Sequence, residues 1–313
     1  MAEYLVTGGA GFIGSHLVER LVREGGSVRV LDNFSSGRES NLAGVAGPGV
    51  EVLRGDICDQ AACAEACRGV SYVVHLAALR SVPRSMADPY SYNRVNIDGS
   101  LNMMFAARAA GVRQFALASS SSVYGEAERF PQSEAQLPAL ISPYALSKLA
   151  GEHYGYIFTR QFGLPVTCLR YFNVFGERQS LEDEYAVVIP KFITCMLKGE
   201  RPPVHGDGTQ SRDFTPVENV AEATLLAVRN PAAAGLVFNV GCGREHSILN
   251  LVAELNRILG SNLEPLFTPV RPGDVMRTLA DIGRARRVLG YEPRVSFADG
   301  LARTVEYFKK TLA

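Results

Sequence analysis

Tyr144 and Lys148 stand four residues apart in Ser142-Pro143-Tyr144-Ala145-Leu146-Ser147-Lys148. On a helix, residues i and i+4 share a face, so a phenol and an ammonium at this spacing point into one pocket. A free phenol titrates near ~10 and is a poor base at neutral pH. A neighbouring cation stabilises the phenolate and draws that value toward the working range, which turns Tyr144 into a proton acceptor for an alcohol. The serine run Ser119 to Ser122 precedes it, and Ser120, at a strand end, can donate and accept in the same hydrogen-bond chain. On an ordinary amphipathic helix the same two residues would be a packed tyrosine and a solvated lysine. Their surroundings decide between the two readings.

The chain opens Thr7-Gly8-Gly9-Ala10-Gly11-Phe12-Ile13-Gly14. Gly8, Gly11 and Gly14 follow a strand and open a helix. The spacing serves a tight turn, close approach of backbone to a pyrophosphate and close helix-to-strand packing, with phosphates at the positive end of the helix. Phe12 and Ile13 belong to the same turn. Asp32 closes the second strand, where a carboxylate accepts from both adenosine ribose hydroxyls and repels a 2′-phosphate, so NAD is favoured over NADP. Asn33, Ser36 and Gly37 complete the loop beside it, although Asp32-Asn33 also suits a turn cap. Asp56 and Ile57 after the third strand fit an adenine contact. Leu76, Ala77 and Ala78 after the fourth admit a cofactor through small side chains or serve as strand-end packing. A positive nicotinamide ring beside Tyr144 would further favour phenolate.

These residues need a scaffold that alternates strand and helix. Tyr4 to Thr7, Val28 to Leu31, Val50 to Leu53, Tyr72 to Leu76 and Phe115 to Ser119 read as short apolar strands, separated by helical stretches such as Gly14 to Glu24 and Asn96 to Ala110. The pattern predicts an α/β fold with a doubly wound parallel sheet of the Rossmann type, its strands covered on both faces. After Tyr171 the texture changes, with Gly, Pro and charges frequent, which predicts a second, smaller α/β substrate region. We therefore divide the chain into 1–172 and mainly 173–313, with a return to the first sheet near 213–240 through a strand at Leu236 to Val240. Helices are expected at Ile248 to Leu259 and Phe297 to Lys309.

At 313 residues and 47% hydrophobic the chain supports a large core. Its 32 basic and 32 acidic residues balance, which argues against a nucleic-acid or membrane-surface binder. The absence of a signal-like start and of a spanning apolar run predicts a cytoplasmic protein. Six cysteines show no zinc spacing, and no metal is expected; Cys63 and Cys67 read as small buried thiols.

These motifs, together with Leu31-Asp32-Asn33-Phe34, Ala118-Ser119-Ser120-Ser121-Ser122-Val123-Tyr124-Gly125 and Leu169-Arg170-Tyr171-Phe172-Asn173-Val174-Phe175-Gly176, carry a resemblance. Over essentially its whole length the chain is similar to the extended branch of the short-chain dehydrogenase/reductase superfamily, and within it to the UDP-hexose 4-epimerases. The resemblance selects Ser120, four residues before Tyr124, as the catalytic serine beside Tyr144 and Lys148, and places Ser122 against the sugar. It implies that Arg80, Asn96, Tyr144, Lys148 and Tyr171 contact NAD, although Arg80 and Asn96 also fit a helix-start salt bridge and a helix cap. The implied reaction removes hydride from C4 of a UDP-hexose to NAD while Tyr144 takes the O4 proton, directly or through Ser120. The 4-keto sugar turns over and hydride returns to its other face, so NAD stays bound with no net redox change.

The resemblance further assigns Asn173 to the diphosphate and sugar, Arg212 and Arg271 to the diphosphate, Asp274 to a uridine ribose hydroxyl and His205 to stacking on uracil. Guanidinium forks suit phosphate oxygens, though each arginine also suits a surface ion pair. Thr278 stands at the family's gate position, where a small residue leaves room for a 2-acetamido group. Stretches containing Ser81, Val188 and Lys191 resemble the UDP-N-acetylglucosamine 4-epimerases. That favours UDP-GlcNAc and UDP-GalNAc, with UDP-glucose and UDP-galactose as further substrates. Arg80 keeps a UDP-glucuronate-type 4-epimerase or decarboxylase open. Ser121 and Ser122, standing where dehydratases and decarboxylases usually carry acidic residues, argue against those chemistries. A non-catalytic NAD-binding regulator is the alternative of another class. A homodimer through Ser91 to Ala110 and Tyr144 to Phe162 is expected from the family.

Overall fold

A seven-stranded parallel sheet forms the centre of the protein, in a computed structural model that describes residues 2–180, 188–270 and 275–312. The elements that matter for the site run β1 (Tyr4–Thr7), α1 (Phe12–Arg23), β2 (Val28–Asp32), β3 (Val50–Arg54), α2 (Gln60–Cys67), β4 (Tyr72–His75), α3 (Val82–Ala87), α4 (Gly99–Ala109), β5 (Gln114–Ser120), α5 (Pro143–Ile157), β6 (Val166–Tyr171), α6 (Val188–Leu197), α7 (Val217–Arg229), β7 (Val237–Val240), α8 (Ile248–Leu259) and α9 (Phe297–Leu312). Across the sheet the order is β7-β6-β5-β4-β1-β2-β3. The order reverses between β1 and β4, so the carboxyl ends of those two strands flank the crevice where doubly wound sheets bind ligands.

Alternation along each strand builds two apolar layers. Val6, Val30, Val74 and Ala116 face one cluster with Leu17 and Leu21 of α1 and Val220 of α7. Leu5, Leu31, Val73 and Phe115 face the other, with Cys63 of α2, Met103 of α4 and Phe158. A strand sandwiched this way needs apolar side chains at successive positions, which is why β1 shows no polar alternation. At the sheet edge, β3 departs from the expectation of burial on both faces, for Val52 is 45% exposed. Cys63 and Cys67 are buried, and burial pushes both thiols up to about 12, the small-hydrophobe reading.

The sequence reading missed β6, because Thr167, Cys168 and Arg170 interrupt its apolar run. Each polar side chain has a buried partner: Thr167 Oγ1 donates to Ala233 O at 2.9 Å, and Arg170 pairs with Glu152 at 2.7 Å. The expected return strand is present as β7, paired with β6 through Val237 and Cys168. Residues after Tyr171 also form a cluster of their own, with Phe192 of α6, Leu251 of α8, Leu301 of α9 and Phe175. Among the described residues, no helix is long and apolar enough to cross a membrane.

Candidate active site

The turn between β1 and α1 has no room for side chains. A Cβ on Gly14 would stand 2.2 Å from Gly8 O, and Gly8 itself has φ +68 and would meet Ala77 N at 2.9 Å. Gly11 N-caps α1 without a side-chain bond, which leaves the first-turn N–H groups without a side-chain cap. That is a ready anion cradle. Asp32 Oδ2 accepts from Ala10 N at 2.9 Å and Oδ1 from Phe34 N at 2.8 Å, so the carboxylate that ends β2 also holds the glycine turn. Gly37 packs against it, where a Cβ would lie 2.9 Å from Asp32 Oδ2. Asn33 donates to Asp56 at 2.9 Å, and Cys58 N, followed by Asn33, holds the Asp56 carboxyl below its usual range.

One cavity of about 1520 Å³ begins at this turn and reaches Arg212 and Thr278. Such a volume exceeds that of ordinary single-ligand pockets and suits two elongated ligands end to end. Gly8, Gly11, Phe12, Ile13, Gly14, Asp32, Asn33, Ser36, Asp56, Ile57, Leu76, Ala77, Ala78, Arg80 and Ser81 line it. So do Ser120, Ser122, Tyr144, Lys148, Tyr171, Asn173, Arg212 and Thr278. Residues singled out from nine separate stretches of sequence thus share one wall.

Ser142 and Pro143 start α5 in the usual way, the serine accepting from Ala145 N at 3.1 Å and the proline pre-setting the first turn. The helix then presents Tyr144 and Lys148 to the cavity. Burial pushes the Tyr144 phenol up, while the nearby Ser120 hydroxyl and the charge of Arg80 draw it down. The sequence assigned such lowering to the Lys148 ammonium. Lys148 Nζ lies 5.9 Å from the tyrosine ring centroid and donates to Ala118 O at 3.0 Å, and burial lowers it to about 8. Tyr92 contacts the Tyr144 ring edge-on at 6.3 Å and donates its hydroxyl to Arg80 O at 3.1 Å. Ser122 Oγ is buried without a hydrogen-bond partner among the described residues.

Behind the wall lies a buried polar chain. Ser100 Oγ donates to Asn96 O at 2.6 Å, which leaves it to accept from His75 Nε2 at 3.1 Å. His75 Nδ1 then accepts from Thr7 Oγ1 at 2.7 Å, and Thr7 Oγ1 accepts from Ala77 N at 3.2 Å. His75 is therefore neutral, its ring lowered to about 3 first by burial and then by Lys148.

Five of the sequence-assigned residues stand outside the cavity lining: Gly37, Asn96, Val188, Lys191 and His205. Asn96 is buried in the π-helical turn Asn93–Asp98, and its amide is engaged by protein: Oδ1 accepts from Leu79 N, while Nδ2 donates to Leu79 O and Ser147 Oγ. Here the amide ties the wall after β4 to α5. Val188 and Lys191 lie on α6, and His205 Nδ1 lies 2.8 Å from Thr268 Oγ1. Arg271 and Asp274 lie outside the described residues.

At the far end, Arg212 Nη1 donates to Ser211 O at 2.9 Å, and Asn173 Nδ2 donates to Thr278 Oγ1 at 2.7 Å. Asn173 has φ 32 and Ser81 φ 127, both uncommon for residues with a side chain, and both line the cavity. The sequence reading missed Asn41, Glu126, Arg178 and Gln179, which also line it. Only Arg178-Gln179, next to the Phe172-Asn173 motif, carried a signal of position. Gln179 is 5% exposed, and its Oε1 has no hydrogen-bond partner among the described residues.

The family model for the NAD dependent epimerase/dehydratase family matches residues 4–241. A UDP-glucose 4-epimerase from Mycolicibacterium smegmatis is 40% identical over 308 residues, covering 97% of this chain and 98% of the relative. The solved UDP-N-acetylglucosamine 4-epimerase from Methanobrevibacter ruminantium M1, in complex with UDP-N-acetylmuramic acid, superposes with a TM-score of 0.94 at 38% identity, covering 99% of this chain and 100% of the other. The UDP-glucuronic acid 4-epimerase from Bacillus cereus, in complex with UDP-glucuronic acid and NAD, gives 0.91 at 33%, covering 98% and 99%.

Proposed function

Because this chain belongs to the NAD-dependent epimerase/dehydratase family, we propose that it inverts C4 of a UDP-sugar by oxidation and reduction at one carbon. The observation that carries this reading is a single cavity lined by Asp32, by the Ser120, Tyr144 and Lys148 set, and by Arg212. The crowded glycine turn, the Asp32 carboxylate and the uncapped start of α1 fit NAD, which when bound supplies the hydride acceptor and donor. Tyr144 removes the O4 proton, and Ser120, whose hydroxyl draws the phenol down, passes or steadies it. Arg80 contributes positive charge that favours phenolate over phenol. Arg212 and Asn173 hold the diphosphate end, so that the 4-keto sugar stays tethered while its ring turns over.

N-acetylated UDP-hexoses are the preferred substrates in this reading, with UDP-glucose and UDP-galactose also turned over. Thr278 is small, and its hydroxyl is occupied by Asn173 rather than projected as a bulky wall. Gln179 Oε1, without a partner among the described residues, suits an N–H donor such as that of a 2-acetamido group. A second copy of the chain covers the helical face on which Phe105, Leu146 and Tyr156 are 49%, 53% and 55% exposed. The direct test incubates the purified protein with UDP-GlcNAc, UDP-glucose and UDP-glucuronate and separates the C4 epimers by chromatography. Fastest conversion of UDP-GlcNAc supports the reading. No epimer from any of the three overturns it.

A further inference from the structure

We propose that Glu152, gripped by Arg170, is a positioning residue that sets the register between α5 and the end of β5 and thereby the meeting of Ser120 with Tyr144. Glu152 lies on α5 at the i+8 position from Tyr144 and i+4 from Lys148, about 12 Å and 6 Å along a helix axis. It is 5% exposed. Glu152 Oε1 accepts from Ser119 Oγ at 2.5 Å and from Arg170 Nε at 2.8 Å, and Oε2 accepts from Arg170 Nη2 at 2.7 Å. One turn earlier, Lys148 Nζ donates to Ala118 O. Two consecutive residues of β5, Ala118 and Ser119, are thus held by two residues on one face of α5.

The same pair also controls the other side of Ser120. Arg170 is the register partner of Ser119 on β6, and its guanidinium covers the Tyr124 ring at 4.7 Å. Tyr124 ends the short helical turn Ser121–Tyr124 that follows Ser120, and its hydroxyl donates to Asn239 at 2.7 Å. Ser120 is therefore bracketed, at Ser119 before and Tyr124 after, by groups fastened to one buried ion pair. A helix is stiff, so fixing Glu152 fixes Tyr144 along the axis. Buried ion pairs add little net stability over apolar residues of similar volume, which leaves placement as what this pair supplies beside a reacting hydroxyl. Misplacement of reacting groups by about 1 Å costs on the order of a hundredfold in rate.

The inference rests on the catalytic reading of Tyr144, and its test is read separately from turnover. Ser119→Ala removes the tether and leaves the Glu152 and Arg170 pair intact, and Ser119→Thr keeps a hydroxyl. In the full-length protein, the Tyr144 phenol is titrated by ultraviolet difference absorbance against Tyr144→Phe, and kcat and KM are measured on the turned-over UDP-sugar. Because the Ser120 hydroxyl draws the phenol down, a displaced Ser120 moves the titration of Tyr144 to higher pH. Ser119→Ala is expected to show that upward shift, a kcat about tenfold lower and an unchanged KM, with recovery in Ser119→Thr. An unmoved phenol titration in Ser119→Ala overturns the inference whether or not the protein turns over a UDP-sugar.

Discussion

At the Asp32 end of the cavity the functional groups sit on strands that pair along their whole length, β1 with β2 over four residues and β2 with β3 over five. At the Arg212 end they sit on the two-residue strand Ser211–Arg212, paired with His246–Ser247, and on the single bridge from Ser211 to Arg277. Asp32 is fixed by backbone N–H groups two residues away and across the turn, whereas Thr278 is held by backbone bonds to Ser211 and Asp213 and by the Asn173 amide, all from distant segments. Long-paired strands resist displacement, and short pairings rely on a few bonds. The first end therefore suits a ligand common to a family. The second suits one that varies among members, as the two solved relatives differ in their sugars while sharing the fold.

The largest effect is expected where the two ends meet. Tyr144→Phe keeps the ring contact with Tyr92 and removes the proton acceptor, so kcat falls by about ten-thousand-fold with little change in melting temperature. Epimer formation and a thermal scan check it, and wild-type turnover would refute the assigned base.

Behind the rigid end, His75 stays neutral when folded, with its ring lowered from 6.5 to about 3. The unfolded chain takes up that proton first as pH falls below 6.5, so stability present at neutral pH is lost between about 6.5 and 3. In His75→Gln, the stability lost between pH 7 and pH 4.5 should be smaller than in wild type by roughly 3 kcal/mol, measured by urea unfolding at both values. Equal losses would remove the buried neutral histidine from the account.

At the glycine turn, Gly14→Ala pushes a methyl into Gly8 O and should cost about 2 kcal/mol together with retained NAD, read from melting temperature and cofactor content. The smallest effect belongs to the loosely built end. Thr278→Tyr should lower the preference for UDP-GlcNAc over UDP-glucose by on the order of tenfold in kcat/KM. An unchanged ratio would move specificity away from this position.

Most of the rigid end was legible because its demands are local. A strand, a turn with no room for Cβ and a terminal carboxylate follow one another along the chain, and Tyr144 with Lys148 needs only a helix. What was not legible depends on distant partners. Thr167 and Arg170 concealed β6 because their buried hydrogen-bond partners, Ala233 and Glu152, lie 66 and 18 residues away. Asn96 read as a cofactor ligand or a helix cap, since its motif does not reveal that Leu79 and Ser147 occupy its amide. Lys148 read as the cation for Tyr144, and only the fold shows that its ammonium also donates to Ala118 O and that Arg80 adds charge beside the phenol. Gln179 carried only a signal of position, because a buried acceptor without a partner among the described residues is a property of packing.

The central claim is that hydride leaves and returns to the same carbon within one cavity. A UDP-hexose carrying deuterium at C4 tests it most directly, with the product examined by mass spectrometry after conversion without added reductant. The account predicts that the epimer keeps the deuterium at C4. Loss of the label to solvent would contradict it.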